Sequence, residues 1–457
     1  MPNRAREVLA PTYLFLCLLL GGSAQGIWVN AVLQLFAVGI IVWAAIVPDR
    51  AKPGVADRRL FAVCAVGLVV VTVQLIPLPP VIWSALPGRG EVVAGYAVLG
   101  QPLPWMALTL TPDETLTTVL RLLPPAAILV AMLRQQAFRP LWMALALIAG
   151  TSAGVILGAL QLTSGAGPDS PWYPYPITNF GTAVGFFANG NHMAILLVAT
   201  IPFLFALLAV GRRERSNKAA HQRPAMVITA GGILAIILLG LFLNGSLAGL
   251  GLGLPVLAAS SILLLSPERQ RKWLLAPALL IAVAVGAIFT LPVSATVQSL
   301  GAKASVESRR TLAGTSLKAA VDFMPLGSGL GSFAHVYRLH EDPGTVDRTF
   351  VNHAHNDYLE IAVETGLPGI LWVLLFLVWW VSAAAGRWSD SVDDPFAKAG
   401  TIASAAILAH SLVDFPLRTS AMAAVFAMAV ALLAGRFTWR AEKTESDIRP
   451  VRHLEIR

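Results

Sequence analysis

Runs of about twenty apolar residues, broken by short polar connections, recur along almost the whole chain. At 1.5 Å per residue each run is long enough, as a helix, to cross a hydrocarbon layer roughly 30 Å thick. The pattern predicts twelve spans, near residues 9–25, 27–47, 60–80, 116–133, 140–162, 192–210, 225–243, 246–265, 273–291, 366–385, 399–415 and 419–435. A helix satisfies its own backbone donors and acceptors where no water can reach, so the expected fold is an all-α polytopic membrane protein. VLAPTYLFLCLLLGG has no clear small-x-small cleavage site and is followed at once by a second apolar run, so it is read as a retained first span.

Composition supports the pattern. The 457 residues are 56% hydrophobic and 13% charged, with mean hydropathy +0.70, far from the roughly 25% charged residues of soluble domains. Counted over the connections, 24 of the 33 basic residues fall on one side, in Arg4/Arg6, DRAKPGVADRR, RQQAFR, GRRERSNKAAHQR, PERQRK, GRWSDSVDDPFAK and the tail. That side is cytoplasmic by the positive-inside rule, and both termini are placed there. The net charge of +8 is thus a topology signal, with no call on nucleic acid. Cys17 and Cys64 sit in separate apolar runs and read as small buried hydrophobes.

The domain organisation that follows is spans one to nine over 1–291, an outer loop over 292–365, spans ten to twelve over 366–436, and a basic cytoplasmic tail over 437–457. Connections 81–115 and 163–191 lie on the same outer face as the long loop. That loop carries six basic and eight acidic residues, and amphipathic spacing in TLAGTSLKAAVDFM and NDYLEIAVE predicts helices there. The opposite face has only short connections and no phosphate-binding P-loop, which argues against an ATP-driven machine.

Chemistry concentrates in VNHAHNDYLEIAVETGLPG, residues 351–369. Asn352 is placed as the cap of a helix running through Glu364 and ending at Gly366, with Pro368 just beyond. On that helix His353, Asp357, Glu360 and Glu364 form one polar stripe, and His355 faces an apolar layer with Leu359 and Ala362. An imidazole there can take a proton from a hydroxyl; the plainer alternative is a histidine bonded to a neighbouring loop. His-x-His with Asp357 also raises a metal, but the motif is short and lacks a second ligand cluster, so no metal is assigned. Upstream, Arg309 and Arg310 precede an amphipathic helix ending at Pro325; Gly327, Gly329 and Gly331 do not fit dinucleotide spacing and read as backbone punctuation. Arg121 lies near the outer end of span four, as a functional cation or one snorkelling to the interface. Asn189, Asn191 and His192 open span six, and capping accounts for one asparagine only. His410, Asp414 and Arg418 recur every four residues and are expected to pair with one another.

HAHNDYLEIAVETGLPG, Arg309 with PLGSGLGSF at its interval, NGNHMA and HSLVDF, in this order, resemble the bacterial O-antigen ligase and polymerase superfamily, from about residue 180 to 435. LTPDETLTTVLRLL extends the likeness to span four. The resemblance implies a bacterial inner-membrane enzyme without cofactor, moving glycan from undecaprenyl diphosphate to an acceptor hydroxyl, with inversion and without metal, at a periplasmic site. It implies His355 as the group activating the acceptor and Arg309 as a diphosphate contact. His353, Asn356, Asn191 and His192 are assigned to substrate binding. Where many relatives carry Ser-Arg between spans seven and eight, NGSLAG has Leu247, so Arg310, Arg348 and Arg121 are the expected substitutes. The acid excess of the outer loop tilts the reading toward a polymerase of surface polysaccharide repeat units, against a ligase that meets phosphorylated lipid A core. Two other classes stand beside it: a glycan or lipid transporter, which would bury charges deep in broken spans, and a silent scaffold, which the missing arginine would suit.

Overall fold

The computed structural model describes residues 6–25, 27–49, 54–163, 167, 169–213, 217–273, 302–346, 350–390 and 392–435. In chain order the helices are α1 (Leu9–Leu20), α2 (Trp28–Ile46), α3 (Val55–Gln74), α4 (Pro80–Trp83), α5 (Gly90–Val98), α6 (Pro112–Arg121), α7 (Leu123–Leu133), α8 (Pro140–Thr163), α9 (Gly190–Arg213), α10 (Asn217–Asn244), α11 (Leu247–Ile262), α12 (Pro267–Trp273), α13 (Ala302–Asp322), α14 (Phe333–His340), α15 (Asp357–Ser389), α16 (Pro395–His410) and α17 (Ser420–Ala434). The strands described, β1 (Pro77–Leu78) and β2 (Met106–Ala107), pair antiparallel with Pro77 opposite Ala107.

The chain is an all-α multi-pass membrane protein. Among the described residues, six stretches are long and apolar enough to span by themselves: Trp28–Ile46, Pro112–Leu133, Pro140–Thr163, Gly190–Arg213, Arg223–Asn244 and Asp357–Ser389. Leu9–Leu20, Leu247–Ile262 and Ser420–Ala434 are shorter apolar helices. Helices also occupy the expected runs near 60–80 and 399–415, whereas the run near 273–291, the first part of the outer loop and the basic tail lie outside the described residues. Cys17 is buried as expected; Cys64 departs from expectation and faces outward from α3.

Helix α9 is the centre of the bundle. Its most apolar window is 83% buried, against 22% for α10, because it is apolar all round and takes neighbours on every side: α8, α10, α11 and α16. Around it α17 packs on α7, α1 on α8, and α15 on α3. The last contact uses tryptophan donors, Trp372 Nε1 to Val63 O at 2.9 Å and Trp379 Nε1 to Ala56 O at 3.1 Å.

The two ends of the bundle differ. One gathers cations near helix termini: Lys398 to Asp393 and Gln270, Arg139 to Glu7, and Arg387 on the last carbonyls of α17. The other end carries the 75–111, 167–189, 323–356 and 411–419 connections, and they are stitched together there. Thr109 N bonds Gln74 O at 2.9 Å, Leu110 N bonds Ser328 O at 2.8 Å, and Asp357 N bonds Ser411 O at 2.9 Å.

One expectation about residues 351–369 is corrected and one holds. The helix is capped by Asn356 and not Asn352: the Asn356 side chain accepts from Leu359 N at 3.0 Å, so His353 and His355 precede the helix. As expected, the first helix stops at Gly366, at φ 58° and ψ −146°; a second helix follows at once to Ser389, and the two together make up α15. The break is filled by the turn after α13, with Leu367 N donating to Pro325 O at 2.8 Å. Pro368 falls in the first turn of the second half, where its missing N–H costs little.

A side chain at 366 would put Cβ 2.2 Å from Pro325 O and hold a left-handed φ. Gly366→Ala is therefore expected to cost about 2–5 kcal/mol, the sum of left-handed strain and overpacking. Gly231→Ala, in open space on α10, is the control. Thermal unfolding of both variants in detergent, followed by size-exclusion chromatography, checks this; equal midpoints would contradict it.

Candidate active site

At the loop-bearing end, the first half of α15 turns Asp357, Glu360 and Glu364 inward, all three buried. They meet one cation. Arg418, in the short 3-10 turn Pro416–Arg418, places its guanidinium 3.7 Å from Asp357 Oδ1, 3.4 Å from Glu360 Oε1 and 3.1 Å from Glu364 Oε2. Burial works against the charge on Arg418, but the three carboxylates outweigh it and hold its pKa above the ordinary value. The remaining carboxylate lone pairs are occupied too. Ser411 Oγ donates to Asp357, Ala354 N and His353 bond Glu360, and Gly331 N bonds Glu364 Oε1 at 2.9 Å.

The glycine turn serves this cluster. Gly329 N donates to Glu364 O at 2.8 Å and Ser328 N to Val363 O at 3.0 Å. A Cβ on Gly327 would lie 2.6 Å from the Glu364 carbonyl, and one on Gly329 1.9 Å from Thr109. With φ of 78°, 114° and 88° the three glycines are needed for close approach of backbone to helix, and the Gly329 and Gly331 amides are spent on Glu364.

A second nest forms around Asp414, fully buried in the turn after α16. His355 Nδ1 lies 3.2 Å from its Oδ1, which also accepts from Phe415 N at 2.9 Å. Asn191 Nδ2 donates to its Oδ2. Asn191 Oδ1 in turn accepts from Ser246 Oγ at 2.7 Å, so a polar chain runs from His355 through Asp414 and Asn191 to the N-cap of α11. His355 holds φ at 48°, a left-handed conformation that histidine tolerates better than most, and this swings the ring off the helix axis toward Asp414. The layer it faces is Phe415, centroid to centroid 4.9 Å, and not Leu359 and Ala362. Its side chain stays 32% exposed, and Nε2 has no partner among the described residues.

Phe415 separates the two nests, touching His353 at 4.2 Å and His192 at 4.9 Å as well as His355. His353 and His355 therefore turn to different carboxylates, Glu360 and Asp414.

The other expected site residues fall as follows. Asn356 spends its amide on the cap and on Leu412 O, at 2.9 Å. Asn189 is the cap of α9, accepting from Asn191 N at 2.8 Å. His192 is buried behind Asp414, Nε2 to Oδ1 3.9 Å, with neither ring nitrogen hydrogen-bonded among the described residues. Arg121 lies within electrostatic reach of Glu114, Glu360, Glu364 and Arg418, and Arg309 within reach of His410. Neither arginine makes a hydrogen bond or ion pair among the described residues, and both are half-buried. Arg310 is exposed; Arg348 lies outside the described residues. Leu247 opens α11 directly after Ser246, so the position lacking the arginine adjoins the Asn191–Asp414 chain.

The expected pairing of His410, Asp414 and Arg418 is corrected. The helix stops at His410, so the three share no face, and Asp414 and Arg418 each serve a different nest. Their roles as hubs were missed in the sequence, where only the HSLVDF motif marked the segment.

Residues 231–374 match the family model described as O-antigen ligase. The matched region holds Arg309, the glycine turn, both site histidines and the α15 carboxylates; Arg121, Asn191, Asp414 and Arg418 lie beyond it. No curated protein sequence matches the chain. The O-antigen ligase match, in a multi-span helical protein whose motif residues converge at one end of the bundle, supports the resemblance to the O-antigen ligase and polymerase superfamily and, with it, a membrane glycan-processing enzyme.

Proposed function

We propose that the chain is a metal-independent, inverting glycosyltransferase of a bacterial inner membrane, carrying glycan from undecaprenyl diphosphate to an acceptor hydroxyl at a periplasmic site. The topology is the twelve-span one, with the basic end and both termini cytoplasmic. The observation that carries the reading is the His355–Asp414 contact: one imidazole nitrogen is held at 3.2 Å by a buried carboxylate while the other has no partner among the described residues, on a side chain left partly exposed. A carboxylate on Nδ1 fixes the tautomer whose Nε2 accepts a proton and stabilises the imidazolium that results.

In the proposed reaction the acceptor oxygen attacks the sugar carbon on the face opposite the diphosphate. The C–O bond to the new acceptor forms as the C–O bond to phosphate breaks, and the acceptor proton passes to His355 Nε2. Undecaprenyl diphosphate leaves as an anion that needs no general acid. Arg309 and Arg121, cations without internal partners among the described residues, are assigned to its phosphoryl oxygens, Arg121 standing in for the arginine replaced by Leu247. Arg418 is assigned a structural part, since its donors are already on carboxylates.

The acceptor preference changes with the structure. The acid excess that favoured a polymerase counted Asp357, Glu360 and Glu364, which are buried around Arg418. Removing these three from eight leaves five acids against six bases in residues 292–365. We therefore favour ligation to phosphorylated lipid A core, in keeping with the description of the matched family. A transporter is disfavoured because the break in α15 is closed by the Pro325 turn instead of opening an ion or substrate site.

Purified protein given lipid-linked oligosaccharide and lipid A core as sole acceptor is expected to release undecaprenyl diphosphate and lengthen the lipid, in EDTA as well as without it. His355→Ala is expected to lower turnover about 10²- to 10⁴-fold with expression intact; unchanged turnover would remove the base assignment, and turnover only with further repeat units would make the protein a polymerase. The arginines should separate by phenotype. Arg121→Ala is expected to leave a folded protein with a raised KM for the donor, whereas Arg418→Ala strands three buried acids and is expected to cost about 3–5 kcal/mol of stability. Size-exclusion profiles and donor titrations read both; a well-folded Arg418→Ala protein with normal thermal stability would contradict the division.

A further inference from the structure

The segment between α3 and α6 is extramembrane in chain order, yet its surface is not that of a water-facing loop. Residues 76–107 contain only two Asp, Glu, Lys or Arg side chains, Arg89 and Glu91. Arg89 is turned inward: buried, it donates to Leu108 O and lies over the Phe323 ring, 6.0 Å from its centroid. Burial brings its pKa down from 12.5 to about 10, so it remains charged at neutral pH. Trp83 is also tucked in, its Nε1 bonding Pro104 O at 2.8 Å.

Outward, the segment presents Val81 at 84% exposure, Val98 at 87% and Trp105 at 67%, with Ile76, Ile82 and Leu99 also exposed. Helix α5, GEVVAGYAV, buries no residue at all. A helix apolar on nearly every side and only partly covered by protein, Tyr96 resting near the Trp83 ring, is stable in lipid and poorly suited to water. Trp105 makes no hydrogen bond among the described residues, as expected of an indole whose N–H meets headgroups.

What covers this surface is indicated by its attachment. The exposed stripe of α3, Val66, Leu68, Val69 and Val73, runs on into Ile76, Val81 and Ile82 without an exposed unsatisfied polar group: Thr72 bonds Leu68 O and Gln74 is buried. Pairing of β1 with β2 closes the neck of the segment, and Thr109 N on Gln74 O ties that neck to the end of α3. The segment is thus held against the end of α3.

We propose that residues 76–107 form a membrane-interface element, lying in the headgroup and upper acyl zone of the leaflet on the side of the candidate site, with lipid taking up its outward apolar side chains. The neck is bonded to the site as well: Gln74 Nε2 donates to Glu364 O at 3.0 Å and Thr115 Oγ to Leu330 O at 2.7 Å. The element therefore sets the depth of the Glu364–Arg418 cluster against the lipid surface. Resting on the proposed function, this depth suits a donor whose diphosphate sits at headgroup level.

Spin labels on single cysteines test the placement without any assay of activity. In a Cys64→Ala background, Val81→Cys, Val98→Cys and Leu99→Cys are labelled and the protein is placed in nanodiscs of mixed zwitterionic and anionic lipid. Lipid-facing Val69→Cys and the exposed turn residue Gly344→Cys serve as references. Collision of each label with oxygen and with a water-soluble nickel chelate is measured. The expected result is an oxygen-to-nickel ratio at all three positions matching that at Val69 and well above that at Gly344. Ratios matching Gly344 would overturn the proposal, and so would labels shielded from both reagents, which would indicate a protein partner over this face.

Discussion

The structure at the loop-bearing end depends on one buried guanidinium. Arg418 stands among three carboxylates that α15 cannot expose without unwinding, and each of those groups would be strongly disfavoured in a low-dielectric interior without a partner. One cation does not balance three acids. Further bonds to the carboxylates come from the Ser411 hydroxyl, the Ala354 and Gly331 amides and the His353 ring. Satisfying the charge therefore forces the glycine turn, the 353–356 loop and the 411–418 turn into one arrangement. A pairing of this kind contributes more to a unique geometry than to net stability.

What that arrangement delivers is a second, less crowded nest. Asp414 follows directly on the turn that Ser411 anchors, and Phe415 walls it off from the Arg418 cluster while touching three imidazoles. His353 and His192 are enclosed; His355 alone of the three keeps a substantial exposed fraction. The division is physical: the Arg418 cluster is enclosed and bonded from several segments, whereas the His355 side chain is partly exposed and its Nε2 has no partner among the described residues. Arg121 and Arg309, which make no hydrogen bond or ion pair among the described residues, reach this region from α6 and α13, both upstream of Arg418 in sequence.

Much of the helical frame was legible, because a twenty-residue apolar run in a chain this poor in charge has few other fates. Asn189 as a cap and the glycines as backbone punctuation were also local matters, readable from near neighbours. The errors lie where a partner distant in sequence decides. Asn352 and Asn356 are equally good caps on local grounds; the left-handed turn at His355, held by Asp414 some sixty residues on, selects the second. Gly366 was correctly legible as a helix terminus, whereas the Pro325 turn, which satisfies the break and lets a second helix start at once, was too distant in sequence to be read. His410, Asp414 and Arg418 have helical spacing without a helix beneath them, and periodicity alone could not report that α16 stops at the first of them.

The central claim is that Asp414 acts on the chemistry through His355. A double-mutant cycle on glycan-transfer turnover tests it, comparing Asp414→Asn in the native protein with Asp414→Asn added to His355→Ala. The prediction is a large loss in the first case and no further loss in the second, because the carboxylate has nothing left to orient. Losses that multiply would mean that the two side chains work independently, and the proposed dyad would have to be abandoned.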